Sequence, residues 1–417
     1  MTPTRPRKSP ASSSRATASQ TEPAEDVDLP ATALATTDLL SHAPFVPATI
    51  LAQLHCAVSG DPRYRRAARA QQALWARSLG LEPGLHQHGG RHEAESVPLG
   101  SLLRPADAAR GVNFISSQVY QHFHQELVWR ETGAIIGVKR ALANLLSSET
   151  LTRNLLAPLA HNLDLASAVF AHLLPALVRR VDRITFEATP GGRHNPDLLR
   201  DATAADAVIH ATTPEAESIL ILIEVKYTEG GGARSVIGHR PHLDAVSRAF
   251  ALHQDPDAPI LRTRGFEQLW RLLLLAQGVV RAGNATRSHL VLLAPRSNAF
   301  VTAIGDRYRT ELRDPVGSGS TAGFTPLALD SFVTAIAAAG AHDPAAYLHR
   351  RYLDWGPVLD QVLDREGLSR LSETDTVSLL PTVTVPAAST QRTRRSRNAK
   401  PVTGRAGSLR SGTWTGE

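Results

Sequence analysis

The sequence contains one cysteine and no long apolar run, and each absence narrows the class of protein. Cys56 is the only cysteine among 417 residues, which excludes an internal disulfide framework and any zinc site with two or more thiolate ligands. No stretch approaches the roughly 18 uncharged apolar residues that a membrane-spanning helix needs, and the N-terminus lacks the apolar segment of a signal peptide. We therefore expect an intracellular, cytoplasmic protein without a membrane span.

Lysine is also scarce. It occurs only four times, while the remaining basic residues are arginine, so each lysine merits inspection. The formal net charge is +6, and residues 386–417, with seven basic residues against one acidic residue, carry a charge of that size by themselves. The body of the chain is therefore close to neutral. The basic tail is either a nucleic-acid contact through phosphates or a solvated end without a selected partner.

Composition divides the chain into five parts. Residues 1–32 are rich in Ser, Thr, Pro and Ala and cannot bury a core, so we expect both they and 386–417 to be disordered. Apolar residues at helical spacing predict an N-terminal helical extension over 33–135, interrupted by "PGLHQHGGRHEAE", which we interpret as a flexible loop. We place the core domain at 136–345 and a C-terminal helical segment at 346–385.

The core domain shows a regular order of helices and strands. Residues 147–178 predict one long helix or a kinked pair interrupted near Pro158. Strands follow at "RVDRITFEAT", "ADAVIHAT" and "SILILIEVKYTE", then a helix at about 263–281, a strand at "SHLVLLAPR" and a helix from 298 to about 313. "FTPLALDSFVTAIAAAG" predicts a further strand and helix. Continuous apolar strands are typical of a sheet covered on both faces, so the fold class is an α/β sandwich.

The third strand carries the strongest functional signal. An apolar run that includes Ile219 and Ile223 leads directly into Glu224, Val225 and Lys226. Side chains alternate along a strand, so Glu224 and Lys226 project from the same face while Val225 points to the other. A carboxylate and an ammonium group therefore share one site at the end of a buried strand.

Asp206, at the start of the preceding strand, can add a second carboxylate beside Glu224 if the two strands are neighbours. Two carboxylates and the main-chain carbonyl of Val225 suit a hard divalent cation that keeps several waters, so we expect Mg²⁺, with Mn²⁺ as a substitute. Lys226 would position a water or stabilise negative charge during phosphodiester hydrolysis. Such spacing also arises by chance, but the buried strand and the order of elements favour a metal site.

These motifs together resemble the PD-(D/E)XK nuclease superfamily, whose core is a helix, three strands, a helix and a strand. Within it the chain is most similar to a bacterial restriction-endonuclease-like group of the PGN type. The likeness rests on "QALWARSLGLEPG", "SSETLTRNLLAPL", "FEATPGGR", "ADAVIHA", "IEVKYTE" and "EQLWRLLLLAQ", over roughly Asp61 to Asn298. Glu149 stands where that group has glutamine. The resemblance implies a restriction-endonuclease-like fold with its acidic and lysine residues on the second and third strands.

The resemblance also implies supporting residues. Many such nucleases add a glutamate from the first helix to the metal site, which makes Glu149 a candidate, although a carboxylate at a helix start can simply favour the helix dipole. Glu187, at the end of the first strand, either reaches the metal or binds Arg193. Gln268 corresponds to the polar residue of the family's Gln-Leu block.

Several arginines are candidate phosphate contacts, and Arg193 in "FEATPGGR" is one of them. Arg264, Gln268 and Arg271 follow helical spacing, so one helix face either meets a phosphate backbone or is a solvated polar stripe. Arg234 lies in the glycine-rich loop after the third strand, where it could help to close over DNA. We interpret the protein as a Mg²⁺-dependent DNA endonuclease, and double-strand cleavage, which ordinarily needs two active sites, would favour a homodimer. The alternative is a catalytically silent nuclease fold that binds nucleic acid or a protein partner.

Overall fold

The computed structural model describes residues 42–88, 95–229 and 240–365, and all structural statements below refer to these. The predicted tails at 1–32 and 386–417 and residue Arg234 lie outside them. None of the helices in the described ranges is long and apolar enough to cross a membrane.

A five-stranded mixed sheet forms the centre of the core domain. Its strands are β3 (Arg180–Ala188), β4 (Ala205–Thr212), β5 (Ser218–Val225), β6 (Arg287–Ala294) and β7 (Gly323–Ala328), and they lie in that order. β3, β4 and β5 pair antiparallel, whereas β5, β6 and β7 pair parallel. The predicted α/β class and order of strands are confirmed.

Helices cover both faces of this sheet. One face packs against α6 (Ser148–Ala160), α7 (Leu163–Leu173) and α11 (Leu329–Ala338). The other packs against α8 (Pro241–Phe250), α9 (Glu267–Arg281) and α10 (Ala299–Thr310). The remaining helices are α1 (Ala48–Gln53), α2 (Arg63–Ser78), α3 (Pro105–Ala109), α4 (Ser117–Trp129), α5 (Val138–Ala143), α12 (His342–Tyr352) and α13 (Gly356–Arg365).

The apolar run of β5 explains why the strand is buried on both sides. Ile219, Ile221 and Ile223 belong to the core beneath α6 and α7, while Leu220 and Leu222 belong to the core beneath α9. Each of the five is at most 7 % exposed. Burial of two apolar layers fixes the register of β5, because a slip of one residue would exchange the two faces.

The segment predicted as one helix or a kinked pair is two helices. The break falls at His161 and Asn162 rather than at Pro158, which lies inside α6. The reason is capping: the Asn162 Oδ1 accepts the Leu165 N–H at 3.0 Å and begins α7.

The Gly- and His-rich stretch is not a simple loop. Its first six residues are strand β1 (Pro83–His88), which pairs antiparallel with β2 (Glu95–Leu103), so the extension predicted as helical contains a small sheet. The hairpin packs closely on the helices: the Gly100 N–H donates to the His55 carbonyl at 2.8 Å, and a Cβ at Gly100 would lie 2.2 Å from the Leu54 carbonyl oxygen. This long-range contact has no local sequence signal.

Candidate active site

Asp206 and Glu224 lie opposite each other where β4 begins and β5 ends. The antiparallel register pairs Ala207 with Ile223, which sets Asp206 against Glu224 on the same face of the sheet. The Asp206 Oδ2 also accepts the Val225 N–H at 2.7 Å. Glu224 is 1 % exposed, whereas Asp206 is only half-buried. The expected pair of carboxylates is therefore brought together, with one of them reachable from solvent.

Lys226 completes the cluster from the same strand. Its Nζ lies 2.5 Å from the Glu224 Oε1 and donates to the Gln268 Oε1 at 2.6 Å. The Lys226 N–H donates to the Leu293 carbonyl at 2.9 Å, so the parallel ladder with β6 continues to this residue. Lys226 is thus held both at its main chain and at its ammonium group, while 24 % of its side chain remains exposed.

Burial and the neighbouring charges of opposite sign act in opposite directions on the pKa values of Asp206, Glu224 and Lys226. Burial and the neighbouring Asp206 raise the pKa of Glu224 to about 8, although Lys226 acts in the opposite direction. Burial likewise raises the pKa of Asp206, against the effects of Lys226 and the Val225 N–H. Burial works against the charge of Lys226, but Glu224, Glu229 and Asp206 outweigh it and raise the pKa of Lys226. The lysine therefore stays protonated, and the two carboxylates favour a further cation or proton.

The chemistry of the donor set suits a small divalent cation. The Glu224 Oε2 is buried and has no hydrogen-bond partner, an arrangement that costs free energy unless something binds the oxygen. The N–H and C=O of a strand residue face the same neighbour, so the main chain of Val225 faces Asp206. Two carboxylates and one carbonyl are oxygen ligands of the kind that magnesium takes. Within the described ranges, no group of three His, Cys, Asp or Glu side chains is arranged to hold a metal ion.

Glu149 lies close to this pair. It occupies the first turn of α6, is 6 % exposed, and its Oε1 is buried without a hydrogen-bond partner. Burial raises the pKa of Glu149, and Asp206 raises it further, whereas Arg153 lowers it. The Arg153 Nη1 is 3.9 Å from the Glu149 Oε1. A carboxylate that only favoured the helix dipole would be solvated, so this placement fits the predicted supporting role.

Glu187 is also electrostatically linked to the pair. Burial and Asp206 raise its pKa to about 7. Its φ is +45°, a left-handed conformation that turns the chain at the end of β3. Arg193 donates from Nη2 to the Glu187 main-chain carbonyl at 2.8 Å, not to its carboxylate. Glu187 therefore contacts Arg193 through its main-chain carbonyl and not through its carboxylate. The carboxylate, which the other predicted role would bring to the metal, is electrostatically linked to Asp206.

Arg193 itself is engaged by the protein. Its side chain is 5 % exposed, its Nε lies 3.2 Å from the Glu131 Oε2, and its Nη1 donates to the Ala202 carbonyl at 2.9 Å. The Glu131 carboxylate also accepts the Arg193 N–H at 2.7 Å. These contacts hold the loop after β3, so their geometry favours a structural role over the predicted phosphate contact.

The three residues predicted to share one helix face, Arg264, Gln268 and Arg271, do not all lie on a helix. α9 begins at Glu267, after a 3₁₀ turn at Pro259–Arg262, so Arg264 precedes the helix instead of lying on it. Gly265 lies between Arg264 and the helix, and a Cβ there would lie 2.6 Å from the Ile304 Cδ1. Gln268 and Arg271 are helical as predicted. The Arg271 guanidinium contacts Asp201 at 3.0 Å, and its other nitrogens bond to Thr203 and Glu267.

Two charged residues near the site have roles that the sequence interpretation missed. Glu229, three residues after Lys226, is half-buried, and its Oε2 accepts the Tyr227 N–H at 2.6 Å. Arg153 is 1 % exposed and donates from Nε to the Glu126 Oε2 at 2.9 Å. The spacing of Arg153 four residues after Glu149 was the available signal, since such pairs share a helix face.

A buried polar network holds the residue that follows Lys226. The Tyr227 hydroxyl accepts from the Gln72 Nε2 at 3.0 Å, and the same nitrogen contacts the Arg351 carbonyl at 2.7 Å. The Arg351 guanidinium is fully buried and donates to Asn113, Tyr347 and Gln72. Helices α2 and α12, far apart in sequence, thus converge behind the active strand.

The comparisons with known proteins agree with this architecture. A family model of the PD-(D/E)XK nuclease superfamily matches residues 59–354, which is more than half of the chain. The chain therefore belongs to the PD-(D/E)XK nuclease superfamily, and its mixed sheet is the expected restriction-endonuclease-like fold. The match extends beyond Asn298, where the motif likeness ended, into α12. The narrower likeness to the PGN-type group stays a prediction. Comparisons with curated proteins and with solved structures found no match.

Proposed function

We propose that this protein is a divalent-metal-dependent endonuclease that hydrolyses DNA phosphodiester bonds, with Mg²⁺ as the ion and Mn²⁺ as a functional substitute. One observation supports this most directly: a protonated lysine lies against a buried carboxylate, opposite a second carboxylate, at the end of one strand. Burying these charges is unfavourable for folding, so a chemical role accounts for them better than a structural one does.

Asp206, Glu224 and the Val225 carbonyl would hold the ion, with Glu149 and Glu187 as further carboxylates nearby. When bound, the ion would neutralise charge on the scissile phosphate and lower the pKa of a water.

The chain's own residues would do the remaining work. Lys226 keeps its proton and can donate a hydrogen bond to the negative charge that develops on the phosphate. Gln268 keeps the Lys226 Nζ in place, because its Oε1 accepts from that atom at 2.6 Å. Arg264 is exposed on the wall of the adjoining cavity of about 510 Å³, where it can contact the nucleic-acid backbone.

Incubation of purified protein with supercoiled, linear and single-stranded DNA, with Mg²⁺, Mn²⁺ or EDTA, tests the proposal. The closed circle should be nicked only when Mg²⁺ or Mn²⁺ is present. Because this substrate has no ends, its nicking would show that the cleavage is internal. Binding without cleavage under every metal condition would instead support the catalytically silent alternative. Light scattering would show whether the protein is the homodimer that double-strand cleavage favours.

A further inference from the structure

Two cavities lie beside the end of the strand that carries Lys226 and share part of their lining. The first, of about 510 Å³, is lined by Lys226 and Gln268. The second, of about 720 Å³, lies on the side of α2. The residues common to both linings are Glu229, Arg264 and Phe300. A ligand that reaches Lys226 through the first cavity therefore passes Phe300 to enter the second.

Phe300 is an exposed ring on a fixed support. It is 46 % exposed and lies in the first turn of α10. Asn298, the N-cap of that helix, donates from Nδ2 to the Tyr227 carbonyl at 3.0 Å. The start of α10 is thus tied to the segment that follows Lys226. Isolated exposed apolar residues are common, but this ring is one of the three residues that line both cavities at a candidate active site.

The second cavity carries positive charge. Arg63 and Arg264 are exposed, and Arg65 is half-exposed. Against these three guanidinium groups stand two carboxylates: Asp61 lies 2.5 Å from the buried Arg69 Nε and 3.4 Å from the Arg65 Nε, and Glu229 accepts the Tyr227 N–H. The charge balance of the wall therefore favours an anionic ligand such as a phosphate.

Resting on the proposed nuclease function, we propose that the joined cavities bind an unpaired nucleotide beside the scissile phosphate. Phe300 stacks against its base, and Arg63, Arg65 and Arg264 contact the adjacent backbone phosphates. In a duplex the neighbouring bases cover both faces of each base, so an aromatic side chain can stack only on an unpaired base. Proteins that bind single strands combine such aromatic platforms with basic grooves. The substrate class is then DNA that is single-stranded at the position of cleavage.

Binding of oligonucleotides in EDTA tests this without cleavage. The probes are a single strand that contains 2-aminopurine, whose fluorescence is quenched by stacking, and the blunt duplex of the same sequence. The parent protein should bind the single strand more tightly and quench it. Phe300→Ala should weaken single-strand binding by about 10-fold and abolish the quenching, and should leave duplex binding unchanged. Phe300→Trp should restore both. Leu363→Ala, a truncation at a residue that is 42 % exposed, is the matched control.

The outcomes separate this inference from the proposed function. If the parent protein cleaves DNA with metal but Phe300→Ala binds and cleaves the single strand as the parent does, the inference is overturned and the nuclease proposal stands. If no cleavage occurs but quenching still depends on Phe300, the binding site stands and the proposed catalysis fails. Equal affinity for the single strand and the duplex, without quenching, overturns the inference whatever the cleavage result.

Discussion

Replacing Lys226 with methionine removes the cation beside Glu224 with little change in volume, so it separates catalysis from folding. We expect metal-dependent cleavage to fall by about 100- to 1,000-fold, the usual loss when one preorganised donor to transition-state charge is removed. The protein should stay folded. Lys139→Met, at an exposed position of α5, is the matched control and should cleave DNA at the parent rate.

The stability change follows from the contact geometry. At an Nζ–Oε1 distance of 2.5 Å and an effective dielectric constant of about 20, the gross attraction is about 7 kcal/mol, most of which offsets desolvation. Removing only the lysine would cost about 3–5 kcal/mol if Glu224 stayed charged. Burial and Asp206 raise the pKa of Glu224 to about 8 even with Lys226 beside it, and removal of the lysine would raise this pKa further, so in the variant Glu224 takes up a proton at neutral pH instead of staying charged. We therefore expect a loss of roughly 1–2 kcal/mol.

Thermal unfolding with increasing Mg²⁺ completes the test. The Lys226→Met variant keeps both carboxylates, so Mg²⁺ should still raise its melting temperature by binding the folded state. Asp206→Ala removes a ligand, so cleavage and the Mg²⁺-induced stabilisation should fall together. Cleavage by Lys226→Met at the parent rate, at equal Mg²⁺ concentration, would refute the assignment of the site.

Further predictions concern stability and positioning. Burial lowers the pKa of His253 and of His289 to about 4, below the value of about 6.5 in an unfolded chain. At these two sites the unfolded state therefore binds more protons, which costs about 2 kcal/mol per histidine between pH 7 and pH 5, whereas the raised pKa values of Glu224 and Glu187 act in the opposite direction. The histidine contribution is the difference between the urea-unfolding profiles of the parent protein and His289→Gln over this range, and two parallel profiles would contradict it. Gln268→Leu should slow cleavage by about 10-fold with an unchanged melting temperature, because it removes only the acceptor of the active-site ammonium. Arg351→Met should lower the free energy of unfolding by about 3 kcal/mol, because it leaves the buried hydrogen-bond partners of Arg351 unpaired. Arg350→Met, at an exposed position, should lower it by less than about 0.5 kcal/mol.

The strands and the central charges were predictable because their signals are local. The apolar runs of "ADAVIHAT" and "SILILIEV" mark β4 and β5, and alternation along β5 sets Glu224 and Lys226 on one face. The pairing of Asp206 with Glu224 needed one further assumption, that consecutive strands are neighbours. That assumption usually holds, and it holds here.

What the sequence did not reveal depends on contacts between distant segments. The β1–β2 hairpin is held against the helices by Gly100, and no periodicity records that contact. Arg264 follows helical spacing but lies in a turn, since tertiary packing around Gly265 overrides the local pattern. Glu229 is a charged residue after the end of a strand, where side chains are usually solvated, yet its carboxylate accepts the Tyr227 N–H beside Lys226.

The network behind Tyr227 changes how the N-terminal extension is understood. Gln72 in α2 donates to the hydroxyl of Tyr227, and Arg351 in α12 is bonded to Gln72, although the motif-bearing strands lie between these helices in sequence. The ladder with β6 ends at Lys226, so the placement proposed for its ammonium group also depends on a restraint of Tyr227, the residue beyond it. The extension and the C-terminal helices supply that restraint through buried hydrogen bonds. For this reason we regard them as part of the catalytic unit, in agreement with a family match that begins at residue 59 and ends at 354.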